Sequence, residues 1–216
     1  MLLETLKTEA IQRGLIKPEE EIDLKKAFFL VRDMPYTRAS SRDSETIIHE
    51  WRGTCSGKHY LLKKLFAELG YKSKLIACTT VNHIDPKSIS GKLRKLLEQS
   101  NGRFVDVHNY LILELPDGGE MIVDATWPLS TKEMGLVVNE DFVLGVNHQI
   151  ATKPIKTWVV PEEVDSQEFK NKILRESFKP EELAHRDEFI KMLGKMTSSK
   201  WIRFLVRFEK LVKGKN

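Results

Sequence analysis

Apolar positions recur at helical spacing at both ends of the chain and alternate, strand-like, in its middle. Residues 2–34 are expected to be mostly helical, with Leu24, Ala27, Phe28 and Val31 one turn apart, Pro18 at a first turn and Pro35 just past the end. Residues 36–48, YTRASSRDSETII, are polar and predict a loop leading into a short helix. The clearest helix is 55–69, where Leu61, Leu62, Leu65, Phe66 and Leu69 form one stripe and Gly70 supplies the stop. Residues 72–81 predict a strand, 86–99 a helical insertion, and Asn101-Gly102 a turn. Two further strands, FVDVHNYLILEL and EMIVDATW, flank Leu115-Pro116-Asp117-Gly118-Gly119, a type I turn closed by a left-handed glycine. Residues 165–213 return to helix. Helices at both ends of a strand-and-hairpin centre predict an α+β fold with an antiparallel sheet.

The chain's 216 residues suit one domain with a helical appendage. A division into 1–164, with a core at about 30–128 and the insertion at about 82–103, and a helical extension at 165–216 follows from the pattern. Hydrophobic residues at 41% and charged residues at 31% are those of an ordinary globular protein. No apolar run reaches the roughly 20 residues that span a bilayer. MLLETLKTEA has neither a basic start nor an apolar core, so no signal peptide is expected. Cys55 and Cys78 are too few for a disulfide framework and point to a reducing compartment, the cytoplasm. The net charge of +4 is uneven: from Asp165 onward there are 13 Lys+Arg against 8 Asp+Glu, and before it 22 against 23. That excess is too small to predict nucleic-acid binding.

Candidate chemistry begins at Cys55, between Gly53 and Gly57 at the start of the strongest helix. A helix N-terminus favours thiolate, and its free N–H groups can face an oxyanion. Gly53 and Ser56 leave room for a substrate carbonyl, and Trp51 and Trp127 are candidates to line a cleft or screen it from water. Cys78 follows Leu75, Ile76 and Ala77 and fits a buried strand cysteine instead.

The hairpin supplies partners. Alternation puts Val105, Val107, Leu111 and Leu113 on one face of its first strand and Asp106, His108, Tyr110 and Ile112 on the other. With a three-residue loop, Leu115 faces Gly119, Tyr110 faces Asp124, and His108 faces Thr126. His108 and Asp124 then share a face as diagonal neighbours, whereas a one-residue slip would separate them. A thiolate nucleophile, an imidazole and a carboxylate orienting the imidazole are the three roles of an acyl-transfer triad.

Arg52-Gly53-Thr54-Cys55-Ser56-Gly57-Lys58-His59, running on to Leu69-Gly70-Tyr71, resembles the cysteine block of the transglutaminase-like superfamily. His108-Asn109-Tyr110-Leu111-Ile112-Leu113 resembles its histidine strand, Val123-Asp124-Ala125-Thr126-Trp127-Pro128 its aspartate block, and Asp33-Met34-Pro35-Tyr36 a stretch upstream of them. The resemblance covers roughly residues 30 to 128. It implies a papain-like core with Cys55 as nucleophile, His108 as its partner and Asp124 as orienter. Arylamine N-acetyltransferases share such a core, but Asp124-Ala125-Thr126-Trp127 has the transglutaminase-like form.

The expected activity is thiol-dependent hydrolysis or acyl transfer at a peptide or small amide, through an acyl-enzyme at Cys55. The alternatives are N-acyl transfer from a CoA thioester, and a binding or scaffold protein without turnover. No cofactor is expected, and no metal, since His49, Cys55 and His59 match no common zinc spacing. Residues 82–103, with Leu93, Leu96 and Leu97 on a narrow stripe, could form a helical flap beside the cleft or a packed surface helix. Residues 201–212 align Trp201, Phe204, Leu205, Phe208, Leu211 and Val212, with Lys200, Arg203, Arg207, Lys210 and Lys213 off the stripe. Such a helix would dock on the core, or meet a partner or membrane surface through residues 200–213.

Overall fold

The computed structural model describes residues 1–84, 86 and 91–198. Over these residues the chain is α+β. Its seven α-helices are α1 (Leu2–Gln12), α2 (Leu24–Arg32), α3 (Ser44–Glu50), α4 (Cys55–Glu68), α5 (Gly91–Gln99), α6 (Ser166–Ser177) and α7 (Pro180–Ser198). Its strands are β1 (Ser73–His83), β2 (Arg103–Glu114), β3 (Glu120–Val123) and β4 (Lys156–Val159), in the order β3-β2-β1-β4 with every pair antiparallel. No described helix is long and apolar enough to cross a membrane.

Helix α4 lies at the centre. Its stripe of Leu61, Leu62, Leu65 and Phe66 is fully buried against α2 and the sheet, together with Phe28, Val31, Leu75, Val107 and Leu111. Truncating one such side chain to alanine typically costs about 2–5 kcal/mol. The helix stops where predicted: Gly70 has φ +84°, and the Tyr71 N–H reaches back to Phe66 O at 2.8 Å. Its first turn is pressed onto α3, since a Cβ on Gly57 would lie 2.7 Å from Ile47 Cδ1.

The hairpin has the register that its turn predicts. Leu111 pairs with Val123, Ile112 with Ile122 and Leu113 with Met121, while Leu115 N–H donates to Gly119 O at 2.8 Å. The second strand is shorter than 120–127, however. The N–H groups of Asp124, Ala125 and Thr126 donate to His148 Nδ1, His59 Nε2 and Asp124 Oδ1, so side chains take the place of the ladder.

Other expectations are corrected. β4 is a fourth strand that the pattern did not disclose, because four largely exposed residues carry no periodicity. Pro18 lies in a turn rather than at a helix start, and α2 begins at Leu24, where the Asp23 carboxylate accepts from the Lys26 N–H at 2.7 Å. The insertion's helix starts at Gly91; Asp85 of the expected Asp85-Pro86 start, and the basic helix at 200–213, fall outside the described residues. Leu93, Leu96 and Leu97 of α5 are buried in a second apolar cluster with Phe189 and Leu193 of α7. Helix α6 packs on β1 and β2, and α7 on β2.

Candidate active site

Cys55 opens α4. Its N-cap, Thr54, makes no side-chain cap, which leaves first-turn N–H groups available. The residue is buried, 2% exposed. Across from it, His108 Nε2 meets Asp124 Oδ2 at 2.8 Å, and the same imidazole lies near enough to the Cys55 sulfur to lower the thiol's pKa. Nε2 is engaged by the carboxylate, so Nδ1 is the nitrogen left for sulfur. The structure thus brings Cys55, His108 and Asp124 together.

Asp124 is held on every side. The Ala151 N–H donates to Oδ2 at 2.8 Å, the Thr126 N–H to Oδ1 at 3.0 Å, and Asn139 Nδ2 to its carbonyl at 2.8 Å. Burial alone would raise its pKa, but the charge and hydrogen bond of His108 hold it well below the usual carboxylate range. Burial likewise disfavours imidazolium at His108, and Asp124 followed by the sulfur overcomes this and pushes the pKa up to about 10.

A second cation reaches the sulfur from α6. Lys170 Nζ lies 3.8 Å from Cys55 Sγ and 2.9 Å from Ser56 Oγ, with its side chain only 3% exposed. Ser56 Oγ in turn donates to Asn109 Oδ1 at 3.0 Å. Burial raises the Cys55 pKa, whereas the Lys170 charge and then the His108 hydrogen bond and charge bring it down to about 6. Cys78 is fully buried in β1, and burial pushes its thiol up to about 12.

Behind Lys170 stands Asp106. Arg186 Nε of α7 donates to its Oδ1 at 2.7 Å and Lys170 Nζ is 3.8 Å away, which outweighs burial and keeps the carboxyl ionised. Tyr36 is buried in the same apolar cluster as Cys55 and packs on Trp127 with ring centroids 4.3 Å apart and planes tilted by 39°.

Two residues near the start of α4 act as ties. His59 Nδ1 donates to Cys55 O at 2.7 Å while Nε2 accepts from the Ala125 N–H at 2.9 Å, which fixes the neutral tautomer; burial pulls its pKa down to about 4. Lys58 Nζ donates to Arg32 O at 2.8 Å and Thr126 O at 3.0 Å. Both side chains fasten the helix that Cys55 opens to the segment that carries Asp124.

Set against known protein families, curated proteins and solved structures, the chain matches none. The geometry therefore stands by itself.

Of the four residues expected at a cleft, only Trp127 lines the cavity beside His108. Ser56 lies beneath the sulfur in the polar contacts with Lys170 and Asn109. Gly53 is packed under Lys58, where a Cβ would lie 3.2 Å from Cγ. Trp51 takes a left-handed backbone (φ 50°) to end α3 and stacks beneath Arg13 at 5.0 Å, away from the sulfur. His49 pairs with Glu9 at 2.8 Å and does not converge with Cys55 and His59; among the described residues no group of three His, Cys, Asp or Glu is placed to hold a metal.

Sequence reasoning missed Lys170, Arg186, Tyr36, His59 and Lys58. One signal existed. Lys170 falls on the stripe with Ile173 and Leu174, and Arg186 on that with Phe189, Ile190 and Leu193. A charged side chain on a buried helical stripe needs a buried partner.

Proposed function

We propose that this chain is a thiol-dependent amide or peptide hydrolase, or acyltransferase, working through an acyl-enzyme at Cys55 on a papain- or transglutaminase-like core. The observation that carries the reading is the continuous line from Asp124 through His108 to a cysteine at a helix N-terminus. In the proposed reaction the Cys55 thiolate attacks a carbonyl carbon. The uncapped N–H groups of α4 face the developing oxyanion, and the His108 imidazolium delivers its proton to the departing amine or thiol. Asp124 keeps the ring oriented and stabilises its charged form. Water or a small amine then takes the acyl group. The burial of Cys55 favours a small or extended substrate over a glutamine on a folded protein's surface. The three blocks around Cys55, His108 and Asp124 that resemble transglutaminase-like sequences support the same core. Two free cysteines suit a reducing compartment such as the cytoplasm.

The test is capture of the acyl-enzyme. Incubation with activated esters, and separately with acetyl-CoA, followed by peptide mass spectrometry is expected to find the acyl group on Cys55 and not on Cys78. Acylation by acetyl-CoA alone would favour the CoA-dependent acyltransferase. Absence of acylation, with Cys55 alkylated no faster than an ordinary thiol, would leave the scaffold reading.

A further inference from the structure

Beside the triad lies a cavity of about 630 Å3, walled by Tyr36, Leu93, Phe104, Trp127, Phe189 and Leu193. Its size falls within the range of small-molecule sites. Four separate elements build it: α5 gives Leu93, β2 gives Phe104, α7 gives Phe189 and Leu193, and Trp127 follows the Asp124 segment. Phe104 and Phe189 pack with ring centroids 4.4 Å apart and Tyr36 and Trp127 at 4.3 Å, each pair tilted, so two aromatic pairs make up much of the wall.

The cavity touches the triad asymmetrically. His108 and Thr126 are in its wall, while Cys55 is not, although Cys55 belongs to the same apolar cluster as Tyr36, Leu93 and Phe189. The charge that borders it is already neutralised: Asp106 faces Arg186 at 2.7 Å and Lys170 at 3.8 Å. A charged ligand group would find Asp106, Arg186 and Lys170 already paired with one another and would lose its hydration.

In acyl transfer the group on the imidazole's side of the carbonyl is the one that receives the proton and departs. Resting on the proposed function above, we infer that this cavity is the leaving-group subsite and that it takes a bulky, uncharged, apolar group carried by the departing amine or thiol. In that step the sulfur–acyl bond forms, the bond from acyl carbon to the leaving nitrogen or sulfur breaks, and the His108 proton passes to that atom. The apolar group stays in the cavity until the product diffuses out.

Three thioesters separate the sides. S-ethyl thioacetate has two small groups, S-benzyl thioacetate a bulky leaving group, and S-ethyl phenylthioacetate (the phenylacetyl thioester) a bulky acyl group. Acylation of Cys55 in the full chain is followed by mass spectrometry, and each rate is divided by that of glutathione with the same ester. The expected result is a gain of about tenfold or more for the benzyl leaving group over the ethyl one, the scale of one apolar ring entering an apolar pocket. No comparable gain is expected for the phenylacetyl ester. Filling the cavity with Leu193→Trp is expected to erase the ratio between the two thioacetates. Equal normalised rates for all three, or a gain confined to the phenylacetyl ester, would overturn the leaving-group assignment. Iodoacetamide labelling of Cys55 tells the two failures apart. Fast labelling without a leaving-group preference sinks this inference and leaves the triad standing, whereas labelling at the rate of an ordinary thiol sinks both.

Discussion

Cys55 is flanked by two cations of different origin. His108 comes from the hairpin, where its carboxylate partner lies sixteen residues away across a tight turn. Lys170 comes from α6, 115 residues along the chain, and is backed by Asp106 and by Arg186 of α7. The hairpin side is held by ladder register and by side chains that bond the Asp124 segment. The helix side is held by packing and by buried charge. The difference teaches that two groups that can be removed independently lower the Cys55 pKa, and that only one of them belongs to the proposed triad.

The largest effect is expected on the hairpin side. Asp124→Ala leaves an imidazolium and the N–H groups of Thr126 and Ala151 without their acceptor. Removing one partner of a buried ion pair costs about 3–5 kcal/mol, to be read from urea unfolding. An unchanged unfolding midpoint would mean that the carboxylate does not hold its surroundings together.

His108→Ala comes next. At pH 7 the alkylation of Cys55 by iodoacetamide is expected to slow about tenfold or more, as a thiol brought down to about 6 returns toward its ordinary range. The unfolding curve sharpens the point. The Cys55 pKa is lowered from 9.0, so its contribution to stability is complete above about pH 9 and lost as pH falls through about 6. The His108 pKa is raised from 6.5, so its contribution is complete below that value and lost as pH rises through about 10. The pair therefore supports the fold most between these limits. His108→Ala is expected to remove the alkaline loss of stability; its persistence would point to another group.

Lys170→Met tests the helix side. The substitution keeps an unbranched side chain and removes the charge. It is expected to move the midpoint of the Cys55 alkylation profile up by about one pH unit without altering the orientation of His108. The double variant with His108→Ala is expected to label no faster than an ordinary thiol. A wild-type profile for Lys170→Met would show that hairpin chemistry alone sets the thiolate.

The smallest effect is expected at Arg103. Its Nε pairs with Glu182 at 2.8 Å, joining β2 to α7 at the surface, with Arg103 exposed and Glu182 half-buried. Arg103→Ala is expected to change stability by less than about 1 kcal/mol and to leave Cys55 labelling as it was. A larger loss would mean that α7 docks through its surface ion pair rather than through Arg186 and Asp106.

Periodicity, turn chemistry and spacing by themselves determined helix α4, its stop at Gly70, the hairpin and its register. They also determined that His108 and Asp124 share a face. These properties are local: a stripe repeats every 3.6 residues, and a loop of fixed length sets every pair along the ladder. Cys55 stood out for the same reason, as a cysteine among small residues at a helix start. Only the tertiary structure decided that Lys170 reaches the sulfur, that Arg186 neutralises Asp106, and that His59 is locked neutral as a tie. It also decided that Trp51 turns away to Arg13 and that Trp127 faces a cavity. Those outcomes depend on how α5, α6 and α7 dock, on contacts between residues far apart in sequence, and on the balance between desolvation and paired charge. None of these leaves a periodic trace in the chain, beyond a lysine and an arginine standing on buried stripes.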